Sequence, residues 1–258
     1  MIVQKISSTT NRSFYWLYLD NGEKYKVEES VLIKYQIFKK GAQISQKLFK
    51  EMMDENEYYL ALNAAFSYLS ATHSKKEIKD HLLKKYPYEI VLRVIDKLIE
   101  LKLINDFAYA NMLVLEAKKH LKGKVYLRNE LIRQEVDSLI IEEALEKYID
   151  TEEIEAIDKS YDKNLANIKN CSKAQLLNRQ KAYLTQRGFT NNNIIIVLEK
   201  KKQLLDNIVN EDKALSYWAE KYLKSLSPKY KDKDLEERLI KKLLSKGFSY
   251  SQIKEYMR

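Results

Sequence analysis

The sequence predicts a mainly α-helical protein, and three observations carry that expectation. Only 5 glycines and 2 prolines occur among 258 residues, too few for the Gly-rich turns of a doubly wound sheet or a large barrel. The 19 tyrosines suit half-buried amphipathic positions. From about residue 54 onward, apolar residues recur at helical spacing. A chain of this length can hold a hydrophobic core without disulfide staples.

The first fifty residues depart from this pattern. Phe14, Trp16 and Tyr18, interleaved with Tyr15, Leu17 and Leu19, form a β-prone run that ends in Asp20-Asn21-Gly22, with Tyr25 and Val27 beyond it. Asn21 and Gly22 between such segments predict a hairpin whose turn tolerates positive φ. Ile2 to Ile6 supplies a third strand, and helices over 31–38 and 45–53 are expected to cover the apolar face of this small sheet.

Helices follow. Asn56 to Leu69 places Leu60, Ala61, Ala64, Ala65, Tyr68 and Leu69 on one stripe. Ser74 and Glu77 form a capping box ahead of Ile78 and Leu82, and Ser249 with Gln252 forms another. The unit then recurs. Apolar residues fall at +6, +9 and +10 from Lys85, Glu135, Gly188 and Gly247, and the anchors Tyr86, Val136, Phe189 and Phe248 lie 50, 53 and 59 residues apart. Each repeat has room for three short helices, which bury their stripes only against neighbours. Leading helices are expected over 56–71, 106–121, 152–169 and 211–226. Gly188 and Gly247 end helices in the left-handed conformation, while Lys85 and Glu135 imply different or strained turns. The expected organisation is a β-rich hairpin-plus-helix module over 1–53, then repeats over 54–105, 106–150, 151–208 and 209–258. Together the repeats predict an elongated, curved array with one continuous surface.

Formal net charge is +9. Residues 200–258 alone hold 15 basic and 9 acidic side chains, an excess of +6, which suits an anionic partner such as nucleic acid. A solvated face that keeps the chain soluble is the alternative. The chemistry of an enzyme is not in view. His73, His81 and His120 lack metal-ligand spacing, and Cys171 is the one cysteine. No phosphate-cradling Gly-rich loop exists. Neither an enzymatic activity nor a cofactor is expected. Asn105 or Asp106 reads as the cap of the helix that follows. Without a membrane-length apolar run, and with Gln4, Lys5 and Arg12 interrupting any leader pattern, the expectation is a cytoplasmic, monomeric protein that does not enter a membrane.

Several stretches taken in order resemble the RecX family of recombination regulators, in its longer form with a strand-rich extension. They are Phe14 to Val27, Lys40-Gly41, Tyr68-Leu69-Ser70 with Ser74-Lys75-Lys76-Glu77-Ile78, and Leu103 to Ala110. Lys122-Gly123, Glu130-Leu131, Gly188-Phe189 and Gly247-Phe248 complete the set. The chain departs from the family pattern at Thr72-His73, where arginine is usual, and at Glu135-Val136, which lacks the common glycine. The resemblance implies tandem three-helix repeats and a non-enzymatic protein of recombination and DNA repair. Such a protein binds the RecA filament on single-stranded DNA and modulates, most often inhibits, strand exchange and ATP hydrolysis. Direct DNA contact is implied as well.

Linked weak contacts spaced along such a filament would add in affinity. Lys118, Lys119, Lys122, Lys124, Arg128 and Arg133 in the central repeat are the candidate contacts. Arg187, Lys241, Lys242 and Lys246 are the candidates nearer the C-terminus. Lys124 and Arg128 share a face if one helix holds both, and charge reversal there is expected to weaken filament binding. Asn21, Gly22, Ser74, Glu77, Asp106, Gly123, Gly188 and Gly247 are assigned structural roles. A general DNA-binding protein and a protein-only helical scaffold stand as alternatives. A dedicated single-strand stacking surface is not expected, because most aromatics fall on core stripes.

Overall fold

The computed structural model describes residues 1–10, 13–166, 168–205 and 209–258. Arg12, position 167 of the expected third leading helix and the repeat border at 208 lie outside them. Two compact units are formed, Met1–Tyr109 with Gln134–Val136, and Ala110–Arg133 with Asp137–Arg258.

In the first unit, β1 (Val3–Ser8), β2 (Phe14–Leu19) and β3 (Lys24–Glu28) form an antiparallel sheet in that order. The Asn-Gly turn differs from the two-residue form expected. Gly22 alone has positive φ, at 82°, and the loop closes by hydrogen bonds from Gly22 N–H to Leu19 O and from Leu19 N–H to Glu23 O. Asn21 acts through its side chain instead, its Oδ1 accepting from Glu23 N–H at 3.1 Å.

Four helices complete this unit: α1 (Glu29–Lys34), α2 (Gln46–Tyr68), α3 (Lys75–Leu83) and α4 (Tyr88–Glu100). The segments 45–53 and 56–69 are one 23-residue helix. Nothing between them breaks a helix, so the border expected at 53/54 falls inside α2. Its first half covers the sheet, with Met52 packed among Val3, Leu17, Leu19 and Val27. Its second half packs Ala61, Leu62 and Ala65 against Ile78, Val91, Val94 and Ile95 of α3 and α4.

Asn56 sits where α2 changes neighbours and is fully buried. Its amide donates to Lys26 O and its Oδ1 accepts from Glu28 N–H, both at 2.8 Å. Asn56→Ala strands both strand groups away from water and is expected to destabilise the protein by about 2 kcal/mol. Urea unfolding would check this, and a change below about 0.5 kcal/mol would count against the pin.

The helix α5 (Asp106–Lys119) spans the border between the units. The second unit continues with α6 (Lys124–Arg133), α7 (Ser138–Glu146), α8 (Asp150–Leu165), α9 (Lys173–Gln186) and α10 (Asn191–Lys202). It ends with α11 (Glu211–Leu226), α12 (Asp232–Leu244) and α13 (Tyr250–Tyr256). Successive triplets have their own cores, such as Ile157, Tyr161, Leu184, Ile194 and Val197 in α8–α10. Leu215, Ala219, Leu239, Leu243 and Ile253 play that part in α11–α13.

The middle helix of three triplets begins with a lysine: Lys75, Lys124 and Lys173, 49 residues apart. In each case that lysine's backbone N–H donates to a carboxylate from the leading helix of the next triplet. Asp106 accepts from Lys75 at 3.1 Å, Glu153 from Lys124 at 2.8 Å and Glu211 from Lys173 at 2.8 Å. Asp106 therefore does not cap its own helix. Asn105 does, accepting from Ala108 N–H.

The turn after the next middle helix docks at the same place. Gly188 O accepts from Val125 and Tyr126 N–H at 2.9 and 3.2 Å. Lys246 O accepts from the Ser172 hydroxyl at 2.8 Å, and Gln134 Oε1 accepts from the Ser74 hydroxyl at 2.8 Å. Gly188 and Gly247 hold φ at 76° and 79°, and Glu135 is strained into the same region at 57°, whereas Lys85 is not. Ser74 and Glu77 form the expected capping box.

Candidate functional site

Most of the central candidate cations are already engaged within the chain. Lys118 pairs with Glu152 at 2.7 Å and donates to Lys147 O. Lys124 and Arg128 share α6, but Lys124 holds Asp150 at 2.6 Å and Arg128 grips Glu142 through two bonds of 2.5 and 2.9 Å. Arg133 pairs with Glu130. The guanidinium of Arg187 donates to Leu121 O at 2.7 Å and to His120 O, which makes it part of the junction between triplets. Lys122 lies over the Tyr126 ring at 4.7 Å. Lys201, in the C-terminal basic stretch, bridges Asp158 and Asp162 at 2.9 and 2.8 Å.

These pairs give the second unit an acid limit. Hydrogen bonds hold three carboxyls below their ordinary value: from Arg128 to Glu142, from Lys124 and Asn193 to Asp150, and from Lys118 to Glu152. A depressed folded-state pKa stabilises fully above the unfolded pKa and is lost as pH falls through the folded one. The urea midpoint is therefore expected to stay level from pH 7 to about 5 and to fall below about pH 4. A midpoint rising below pH 4 would contradict the assignment.

The C-terminal cations stand differently. Arg238 and Lys242 lie four apart on α12 and so share one face, and Lys246 lies in the turn that follows it. They face aromatic rings: Arg238 over Tyr230 at 3.9 Å, Lys242 over Tyr222 at 5.3 Å and Lys246 over Trp218 at 4.1 Å. Lys221 of α11 lies over Trp218 at 4.8 Å. Trp218 stacks near Tyr222, and its indole donates to Asn170 O at 2.6 Å. Of these cations only Arg238 is ion-paired among the described residues, with Asp234 at 3.0 Å. Lys241 and Lys119 also make no ion pair there. Of the sequence-predicted cations nearer the C-terminus, Lys241, Lys242 and Lys246 thus make no ion pair among the described residues, and Lys221 of α11 joins them there. Sequence reasoning named Lys242 and Lys246 as candidates but not Trp218, Tyr222 and Arg238, whose spacing was the available signal.

Among the described residues no cluster of three or more His, Cys, Asp or Glu side chains could hold a metal ion. His73 and His81 both stack on one ring, each 4.0 Å from the Tyr68 centroid. Cys171 is buried, and that burial pushes its thiol up from the ordinary value. No helix among the described residues is long and apolar enough to cross a membrane.

Comparison with known proteins places this geometry in context. Residues 210–257, which hold α11–α13, match the family model described as RecX, third three-helix domain. The chain is similar to "Regulatory protein RecX" of Bacillus cytotoxicus, with 29% identity covering 93% of this chain and 91% of the relative. It is 28% identical to the protein of that name in Listeria monocytogenes, covering 96% and 92%. A crystal structure of regulatory protein RecX shares the fold with a TM-score of 0.62 at 24% identity, covering 77% of this chain and 98% of that one.

Proposed function

The chain belongs to the RecX family of regulatory proteins, and from that membership we propose that it regulates RecA in recombination and DNA repair. In this reading it binds the RecA filament on single-stranded DNA, and binding lowers strand exchange and filament ATP hydrolysis. The observation that supports it is the face made by α11, α12 and the turn after α12, where Lys221, Lys242 and Lys246 carry no ion pair among the described residues. A filament on DNA is strongly anionic, and cations without an ion pair meet it without first breaking a salt bridge. In this reading the chain acts by binding rather than by catalysis.

The test is binding of the purified chain to preassembled RecA filaments, to bare single-stranded DNA and to free RecA across a salt series. ATP hydrolysis is followed in the same samples. Preference for the filament with reduced hydrolysis is the expected result. Equal affinity for bare DNA and filament, lost together as salt rises, would replace this reading with general DNA binding.

A further inference from the structure

The N-terminal sheet has two unlike faces. Leu17, Leu19, Val27 and Val3 are buried beneath it, with Tyr15 and Tyr25 beside them. Strand alternation sends Phe14, Trp16 and Tyr18 to the other side. The register sets Tyr18 opposite Lys5 of β1 and Lys24 of β3, and Trp16 opposite Ser7 and Lys26.

Each lysine reaches a ring of the central strand. Lys5 lies over Tyr18 at 5.6 Å, Lys24 over Trp16 at 4.9 Å and Lys26 over Phe14 at 4.4 Å. Phe14 is buried and forms a floor, while Trp16 and Tyr18 remain part-exposed. None of the three lysines has an ion pair among the described residues. The acid of this face, Glu28, turns its carboxylate to the first turn of α1, accepting from Ser30 N–H at 2.7 Å.

We propose that this outer face is a binding platform for single-stranded nucleic acid, in which Trp16 and Tyr18 stack successive bases and Lys5, Lys24 and Lys26 meet the phosphates. Rings two residues apart on a strand stand roughly 7 Å apart, so neighbouring unpaired bases can each find a ring. A duplex offers no exposed base faces to stack. Cations on both flanking strands leave the backbone a charged track on either side of the aromatic row. An acidic polypeptide would satisfy the lysines but leave the rings without partners. The platform belongs to the first unit and the α11–α12 face to the second, and the platform holds whether or not the helices engage a filament.

The test uses the full chain and an oligothymidylate of about 20 nucleotides, with an abasic strand of equal charge and poly-glutamate as controls. The chain has 2 tryptophans, so its indole N–H resonances are resolved by NMR, with Trp16→Phe supplying the assignment. The expected result is a saturable shift of the Trp16 resonance with oligothymidylate alone. Trp16→Ala should weaken that binding at least about fivefold, as should Lys24→Glu with Lys26→Glu, each at an unchanged unfolding midpoint. An unmoved Trp16 resonance at saturating oligothymidylate would overturn the platform. Equal affinity for the abasic strand or poly-glutamate would likewise assign the face to charge alone.

Discussion

Gly123→Ala is expected to destabilise the second unit by about 3 kcal/mol or more. Gly123 precedes α6, and a Cβ there would overlap the Gly188 carbonyl oxygen and the Phe189 backbone. Neither is the movable end of a side chain. Gly188 has the converse problem, because its Cβ would run into the Tyr126 backbone while φ stands at +76°. The two glycines let two backbones meet where Val125 and Tyr126 donate to Gly188 O. Overpacking a core typically costs about 1–3 kcal/mol when side chains can shift; here separation of the backbones also removes two hydrogen bonds. Gly41 is the control. It has φ of +88° but nothing within 4 Å of its Cβ, so Gly41→Ala should cost only about 1 kcal/mol of left-handed strain. Urea unfolding followed by tryptophan fluorescence measures both, with Trp218 reporting the second unit for Gly123→Ala and Trp16 the first unit for Gly41→Ala. Equal losses at the two positions would remove close approach as the explanation.

Lys242→Glu with Lys246→Glu is expected to lower affinity for the RecA filament by about tenfold or more at moderate salt, with a shallower salt dependence. Neither lysine holds an internal ion pair among the described residues, so the double reversal should leave the unfolding midpoint nearly unchanged. Reversal of Lys124 and Arg128 is a poorer probe of the same idea. It would set like charges against Asp150 and Glu142, and weakened binding could then follow from a loosened junction. Unchanged filament affinity in the Lys242/Lys246 variant, at a preserved midpoint, would remove the α11–α12 face from the interface.

Helix periodicity made the repeats legible, because each stripe needs only local spacing to show itself. The +6, +9 and +10 offsets became buried positions in the first three copies, such as Val91, Val94 and Ile95, but in the fourth only Ile253 is buried and Tyr256 is exposed. Continuity through α2 was not legible, since its apolar stripe changes partner at Asn56 and reads as two shorter helices. Asp106 looked like a local cap because its partner, Lys75 N–H, is 31 residues away. The candidate cations could be found from sequence, but not their availability. Whether a lysine meets water or a carboxylate depends on packing, and Lys124 and Lys242 look alike until Asp150 is in place. The run from Phe14 to Leu19 is apolar at every position, so alternation defined two faces without saying which one is buried.

The lysines at the starts of α6 and α9 leave those helices electrostatically incomplete, since neither has an acid of its own in the first turn, whereas α3 has Glu77. A cation at the positive end of a helix dipole is unfavourable, and the acid that offsets it belongs to the triplet that follows. The last middle helix breaks the rule, since α12 opens with its own Asp232 and Asp234. Dependence therefore runs in one direction along the sequence. Shortening the chain from the carboxyl end at residue 209 would take Glu211 away from the backbone N–H of Lys173, and each further cut would remove the acid from another lysine-headed helix. The middle helix of the α11–α13 triplet carries its own acids, and a chain cut short of that triplet begins to fray from a helix that still looks whole in its sequence.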